Sequence, residues 1–295
     1  MAPTSYEQTS AMKIARFRIN DRQSYGVVIG DGIIDVGAKM GGTYADVADV
    51  LLAGALNRVA EFAGGRIPDI SFDQVEFLPP VRSRNAVLAV GRNYGSAYED
   101  MGTKFPGHPS IFMRRYEAQA GHRGNLVRPK ASHLFDGEAE LALIIGKGGR
   151  HIAEDKAFEH IIGYSIFNDG TLVDWGDHTA RNVTPGKNFF ASGAFGPWMV
   201  TADEIGDATQ LTILHRINGE EVQRGSTSEM IFPIPAILAY LSTFCELEPG
   251  DIITTGSPGG IRPRRDKGLY YRPGDKIEME IDKIGILENA VVDEA

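Results

Sequence analysis

Asp136-Gly137-Glu138-Ala139-Glu140 leads directly into Leu141-Ala142-Leu143-Ile144-Ile145-Gly146. An apolar run of that length, bounded by glycines, reads as a buried strand with two glutamates at its head. Side chains alternate faces along a strand, so Glu138 and Glu140 point the same way. Two like charges side by side repel. Either the strand end faces solvent, or a cation lies between the two carboxylates. A third hard ligand decides between those readings.

Gly163-Tyr164-Ser165-Ile166-Phe167-Asn168-Asp169 is a second strand, and it too ends in a carboxylate. Glu138, Glu140 and Asp169, with water, form an oxygen set suited to Mg²⁺ or Mn²⁺, with Ca²⁺ as a further candidate. Zinc would prefer histidine or cysteine. Asp169 also reads as a turn residue capping the next segment. Pro185-Gly186-Lys187-Asn188 is a turn that presents a lysine, whose ordinary fate is solvent. Gly146-Lys147-Gly148-Gly149 lacks the spacing and the Lys-Ser/Thr ending of a phosphate loop.

The 295 residues are 42% hydrophobic and 23% charged, as in one large or two unequal globular domains. A net charge of -9 argues against nucleic acid and anionic membrane surfaces as partners. No apolar run reaches the roughly 18 residues of a spanning helix. Met1 to Ala11 is polar and lacks the apolar core of a signal peptide, so a cytoplasmic location is expected. The single cysteine, Cys245, rules out an internal disulfide framework and a multi-cysteine zinc site. Thirty-five glycines suggest many turns, and therefore an α+β, strand-rich architecture.

Along the chain, Asp31-Gly32 between apolar runs marks a hairpin. Apolar residues from Val47 to Phe62 recur at helical spacing, which predicts one helix over about 43–63 capped by Thr43. Pro79-Pro80 closes this unit, so a small N-terminal α/β domain is expected over 1–80 and a larger one over 81–295. Asn85 to Gly91 reads as a buried strand. The glycine- and proline-rich segment 96–128 reads as a long lid-like loop containing a short strand that delivers Arg114. Asn218-Gly219 is the strongest hairpin signal, Pro233 to Cys245 is an apolar helix, and two Pro-Gly-Asp turns each precede a strand.

The order of these motifs resembles the fumarylacetoacetate hydrolase family. Glu-x-Glu-Leu before an apolar strand carries the resemblance, with Asn168-Asp169, Gly186-Lys187-Asn188-Phe189, Gly196-Pro197-Trp198, Asn218-Gly219-Glu220 and Thr255-Gly256-Ser257-Pro258. It runs from about Val87 to the C-terminus. It implies a mixed β-sheet roll, usually dimeric, acting on 2-oxo acids and 1,3-diketones. It implies a metal held by Glu138, Glu140 and Asp169, with Lys187 beside the bound substrate or water. It also implies substrate contacts from Asn93, Tyr94, Arg114 and Ser257. Two departures stand out. The family's lid histidine is Ala97 here, with Asp100 at the acid position, and a substrate-binding arginine is replaced by Val173. His122, a loop histidine by its sequence context, is the candidate replacement base with Asp100 as its partner, and Arg181 is a candidate for the missing arginine.

A metal that chelates a 2-oxo acid stabilises the enolate left when a C–C bond breaks. Lys187 adds positive charge there. The expected function is therefore metal-dependent C–C hydrolysis of an acylpyruvate-like diketo acid, with a small-molecule substrate and a homodimer as the expected assembly. Decarboxylation, isomerisation or hydration of a related 2-oxo acid is the alternative, since those reactions need no base to activate water. A non-catalytic metal-binding protein is a third reading. A dinucleotide dehydrogenase is disfavoured by the absence of Gly-x-Gly-x-x-Gly after an early strand.

Overall fold

The structure is a computed structural model that describes residues 11–82, 87–101, 107–178 and 182–295, and of residues 98, 100, 101 and 261–263 the backbone alone. The N-terminal unit contains β1 (Lys13–Ile19), β2 (Arg22–Ile29), β3 (Gly32–Ile34), the helices α1 (Val36–Lys39), α2 (Val47–Leu52) and α3 (Leu56–Ala63), then β4 (Ile70–Ser71) and β5 (Glu76–Leu78). β6 (Val87–Gly91) leads through α4 (Gly95–Met101) to β7 (Ser110–Arg114), β8 (Gln119–Ala120) and β9 (Asn125–Arg128). Then follow β10 (Phe135–Asp136), β11 (Ala139–Ile145), β12 (Ile161–Asn168), β13 (Thr171–Leu172), β14 (Gly193–Thr201) and α5 (Ala202–Ile205). The C-terminal part holds β15 (Thr212–Ile217), β16 (Glu220–Ser226), α6 (Ile234–Phe244), β17 (Ile252–Thr254), α7 (Ile261–Asp266), β18 (Lys276–Ile281) and β19 (Gly285–Asp293).

Among the described residues a 12-stranded sheet follows the order β4-β3-β2-β1-β14-β12-β11-β17-β6-β7, with β5 on β1 and β8 on β14. A 5-stranded sheet, β16-β15-β18-β19-β9, packs against it. Both are mixed, because β17–β6, β14–β8 and β19–β9 are parallel pairs. The strand-rich roll expected from the sequence is thus the fold observed. β11 lies in its centre, buried along its whole length. Leu141, Leu143 and Ile145 join a core with Ile213, Met279 and Leu238. Ala142 and Ile144 point to a second core with Val50, Leu56 and Val59 of α2 and α3. This two-sided burial is why the stretch reads as a continuous apolar run.

Two expectations are corrected. The helix over 43–63 is two helices, because the chain turns at Gly54, where φ is +60. Its cap is Asp46, whose side chain accepts from Val47 N, rather than Thr43. The described residues of the segment 96–128 are mostly regular structure: β7 pairs β6, and β9 pairs β19. The N-terminal unit joins the larger one through a shared sheet and core. β1 pairs β14 antiparallel, and the α2–α3 core includes Phe167, Phe195 and Met199, so the division near residue 80 crosses one sheet and one core.

Candidate active site

β11 and β12 are antiparallel with Ala139 opposite Asn168, so Glu138 and Asp169 stand across from each other just beyond the paired ends. The Asp169 N–H donates to the Glu138 carbonyl at 2.9 Å, and the Asn168 side-chain oxygen accepts from the Glu138 N–H at 3.3 Å. These bonds place the Glu138, Glu140 and Asp169 carboxylates together. One oxygen from each lies within 4.8 Å of the others. Asp169 is 1% exposed and Glu140 2%.

Among the described residues three cations bond the cluster, and a fourth shares Asp136 with one of them. Arg114, 0% exposed at the end of β7, donates to Asp169 Oδ1 at 2.5 Å and to the Gly170 carbonyl at 3.0 Å. Lys187 Nζ bonds Glu138 Oε2 at 2.8 Å and also Asp169 Oδ2, and lies 5.4 Å from the centre of the Phe112 ring. Its turn fits closely under β13: a Cβ on Gly186 would come within 2.5 Å of the Leu172 carbonyl. From α7, Arg265 donates through Nε to Asp136 at 2.7 Å and through Nη2 to Glu138 Oε1 at 3.0 Å. Arg264 pairs with the same Asp136.

The electrostatics divide the carboxylates. Burial pushes the Glu138 carboxyl up, but Lys187 and Arg265 outweigh it and hold it at about 2. Glu140 is pushed well above the ordinary range by burial and by the Asp169 charge beside it. Burial opposes the Lys187 charge, yet Asp169 and Glu138 reverse that and raise its pKa, so it stays a cation. A buried carboxylate forced toward its protonated form by an adjacent carboxylate fits a place for a cation. The donor set, three hard oxygens without nitrogen or sulfur, fits Mg²⁺ or Mn²⁺.

Not every expected residue faces the cluster. His122 does not. Its ring packs against Phe77 and Trp198 at 5.1 and 6.4 Å, and its Nδ1 accepts from Glu288 N at 3.1 Å. Burial and Arg123 lower its pKa to about 4, so it is a neutral packed histidine and not a base beside the carboxylates. The Asp100 side chain and Arg181 lie outside the described residues. Ala97 packs on the core, and Val173 begins a 3₁₀ turn with its N–H on the Leu134 carbonyl.

Asn93 is 0% exposed and fully used within the protein. Its amide donates to the Phe232 and Thr255 carbonyls and its oxygen accepts from Phe232 N. Tyr94 is 0% exposed as well, and Arg114 is committed to Asp169. Asn93 and Arg114 thus tie together the strand ends and loops that carry the carboxylates. Asn93 is buried because loop backbone groups beneath the site need partners. Ser257 is half-buried, next to Gly256, whose N–H donates to Glu140 Oε2 at 3.0 Å from a φ of +85.

Asp136, Arg264 and Arg265 were not foreseen as site residues. The arginine run just after Thr255-Gly256-Ser257-Pro258, in a chain already carrying an acidic cluster, was the signal available.

Comparison with known proteins agrees with this geometry. Residues 86–292 match the fumarylacetoacetate (FAA) hydrolase C-terminal family model. The mitochondrial oxaloacetate tautomerase Fahd2a of Rattus norvegicus is 32% identical over 266 residues, covering 90% of this chain and 85% of that protein. Maleylpyruvate hydrolase from Sphingobium sp. SYK-6, solved with manganese(II) and pyruvate, superposes with a TM-score of 0.79 at 28% identity, covering 96% of this chain and 100% of that one. Fumarylacetoacetate hydrolase from Exiguobacterium antarcticum gives a TM-score of 0.79 at 30% identity over 96% of this chain and 100% of its own. With the family model covering most of the chain, the protein belongs to the fumarylacetoacetate hydrolase family.

Proposed function

We propose that this protein is a divalent-cation-dependent enzyme that moves a proton on a 2-oxo acid, as a keto–enol tautomerase or double-bond isomerase. One observation carries the choice. The three carboxylates and Lys187 are together, while no histidine contacts them among the described residues. A reaction that stabilises enolate charge, gives up the enol proton to solvent and takes the carbon proton from solvent, with no water activated as a nucleophile, suits such a site. The relatives support it, since the oxaloacetate tautomerase of Rattus norvegicus is 32% identical over 90% of this chain.

Glu138, Glu140 and Asp169 would hold the cation, which supplies a Lewis-acid centre for the carboxylate and keto oxygens of a 2-oxo acid. Lys187 holds a proton at Nζ between Glu138 and Asp169, so its positive charge lies beside the oxygen on which enolate charge develops. Arg114 and Arg265 fix the direction of Asp169 and Glu138, and Lys187 with Arg265 keeps Glu138 ionised. Phe112 covers the Lys187 ammonium and limits its exchange with water.

C–C hydrolysis of an acylpyruvate is the second reading, favoured by the fold shared with maleylpyruvate hydrolase. The test is a direct comparison. Ketonisation of enol-oxaloacetate is followed by loss of enol absorbance, and acylpyruvate cleavage by loss of the diketo chromophore. Both are run with Mg²⁺ or Mn²⁺, and again with chelator. Tautomerisation should be the faster reaction and should stop with chelator. Faster cleavage would put hydrolysis first, and activity unaffected by chelator would remove the metal.

A further inference from the structure

With every carboxylate ionised, as a bound cation would require of Glu140, the cluster's charges balance. Glu138, Glu140, Asp169 and Asp136 bring four potential negative charges, and Arg114, Lys187, Arg264 and Arg265 bring four positive ones. A divalent cation added to the ionised set leaves two positive charges in excess. A 2-oxo monocarboxylate cancels one of them, and a 2-oxo dicarboxylate cancels both. Uncompensated charge at a largely buried site is costly, so the excess itself selects for a doubly charged ligand.

The cations differ in access. The side chains of Arg114, Lys187 and Arg264 are 0%, 7% and 6% exposed. Arg265 is 20% exposed and sits against Glu138, itself 19% exposed, where the cluster meets solvent. Its Nε and Nη2 hold Asp136 and Glu138, and among the described residues Nη1 has no partner. Asp136 keeps Arg264 as a second cation, so a new anion at Arg265 does not strip it of charge. A guanidinium fork offers paired N–H donors that match a carboxylate.

We propose that Arg265 receives the second carboxylate of the substrate and makes the enzyme selective for 2-oxo dicarboxylic acids. This rests on the 2-oxo acid reading above. The test compares enol-oxaloacetate with its 4-ethyl ester, which keeps the enol and loses the far charge. Wild type, Arg265→Gln and Arg265→Lys are assayed with saturating Mg²⁺. Titration calorimetry measures Mg²⁺ itself, and then malate and lactate as non-reacting di- and monocarboxylates. Any displacement of Glu138 acts on both members of each pair and cancels in their ratio. Arg265→Gln should reduce the preference for the diacid by about 10- to 100-fold in kcat/KM and in malate-over-lactate affinity, the usual scale for losing a charged hydrogen-bond partner. Arg265→Lys, which keeps the charge, should retain part of that preference. Equal losses on both members of each pair would make Arg265 only a positioning residue for Glu138 and overturn the proposal. If no 2-oxo acid turns over, the functional reading falls, and malate against lactate binding still decides Arg265. Absence of any malate preference in the wild type would also overturn it.

Discussion

Lys187 shows how a single residue's role depends on its surroundings. A turn lysine belongs in water, yet here it is buried between two carboxylates that keep it charged. A divalent cation held by Glu138 and Asp169 would have to share them with this ammonium. Lys187→Met should therefore lower turnover by about 100-fold or more, since a positioned cation at a developing oxyanion is removed. The same substitution should tighten Mg²⁺ binding in calorimetry, and weaker binding would show that Lys187 supports the ligands instead. Glu140 gives a pH prediction. In the metal-free protein its pKa is raised above the ordinary 4.5, so the folded state holds the proton more tightly than the unfolded one. That contribution to stability is complete below about pH 4.5 and is lost as pH rises through the raised pKa. The metal-free protein should thus lose stability toward neutral pH, and Mg²⁺ should restore it because the ion replaces the proton. Melting curves from pH 5 to 8, with and without Mg²⁺, measure this. In Glu140→Gln both the pH slope and the metal's stabilising effect should shrink. Arg114→Met leaves Asp169 buried without its guanidinium and should cost about 3–5 kcal/mol in metal-free urea unfolding.

At the scale of elements, strand ends and the loops beneath them make the site. Asn93, at the end of β6, joins the Thr255 and Phe232 segments through three hydrogen bonds and so supports Gly256, the donor to Glu140. Asn93→Ala should destabilise the protein by about 1–3 kcal/mol, because it leaves buried backbone groups unpaired, and should weaken Mg²⁺ binding through Glu140. Urea unfolding and calorimetry check both, and a change in stability alone would separate this loop from the metal site. The same elements explain what was legible in the sequence. Glu138, Glu140 and Asp169 were readable because an apolar run with period-two side chains fixes which carboxylates share a face. The Asn218-Gly219 hairpin was readable because both residues take positive φ, at 54 and 82. Arg265 was not, since it meets Glu138 across 127 residues and no local pattern encodes that contact. Asn93 and Arg114 were found as residues, but their bonds to Phe232, Thr255 and Asp169 were not legible, because sequence does not show which way a polar group at a strand end turns. His122 was misplaced for a related reason: its neighbours Phe77 and Trp198 come from distant strands.

Those strands belong to the seam of the whole molecule. Phe77 lies in β5, Trp198 in β14, and β1 joins them in one sheet. His122 fills the space between the two rings while its Nδ1 takes the Glu288 N–H from β19, so the N-terminal unit, the main sheet and the C-terminal sheet meet at one imidazole. That nitrogen must stay unprotonated to accept the bond. Unfolded, the ring binds a proton near 6.5; folded, burial and Arg123 hold it off until about 4, against a smaller opposing effect of Glu288. Between those values the unfolded state carries more protons, so stability falls as pH falls. The loss through this residue should begin near pH 6.5 and reach a few kcal/mol by about pH 4, at roughly 1.4 kcal/mol per unit. His215, also buried and lowered to about 3, adds a similar loss that persists to lower pH. His122→Gln retains a side-chain acceptor for Glu288 N and removes the titration. Its unfolding free energy should start lower at pH 7, because ring packing on Phe77 and Trp198 is gone, and should then fall less steeply than the wild type between pH 6.5 and 4. Urea titrations at half-unit intervals test the slope, and parallel curves would place the acid sensitivity elsewhere. Because the seam is shared, each unfolding should be a single transition in which the N-terminal unit melts with the rest. A separate early transition of the N-terminal unit would show that its pairing through β1 and β14 is too weak to couple the two.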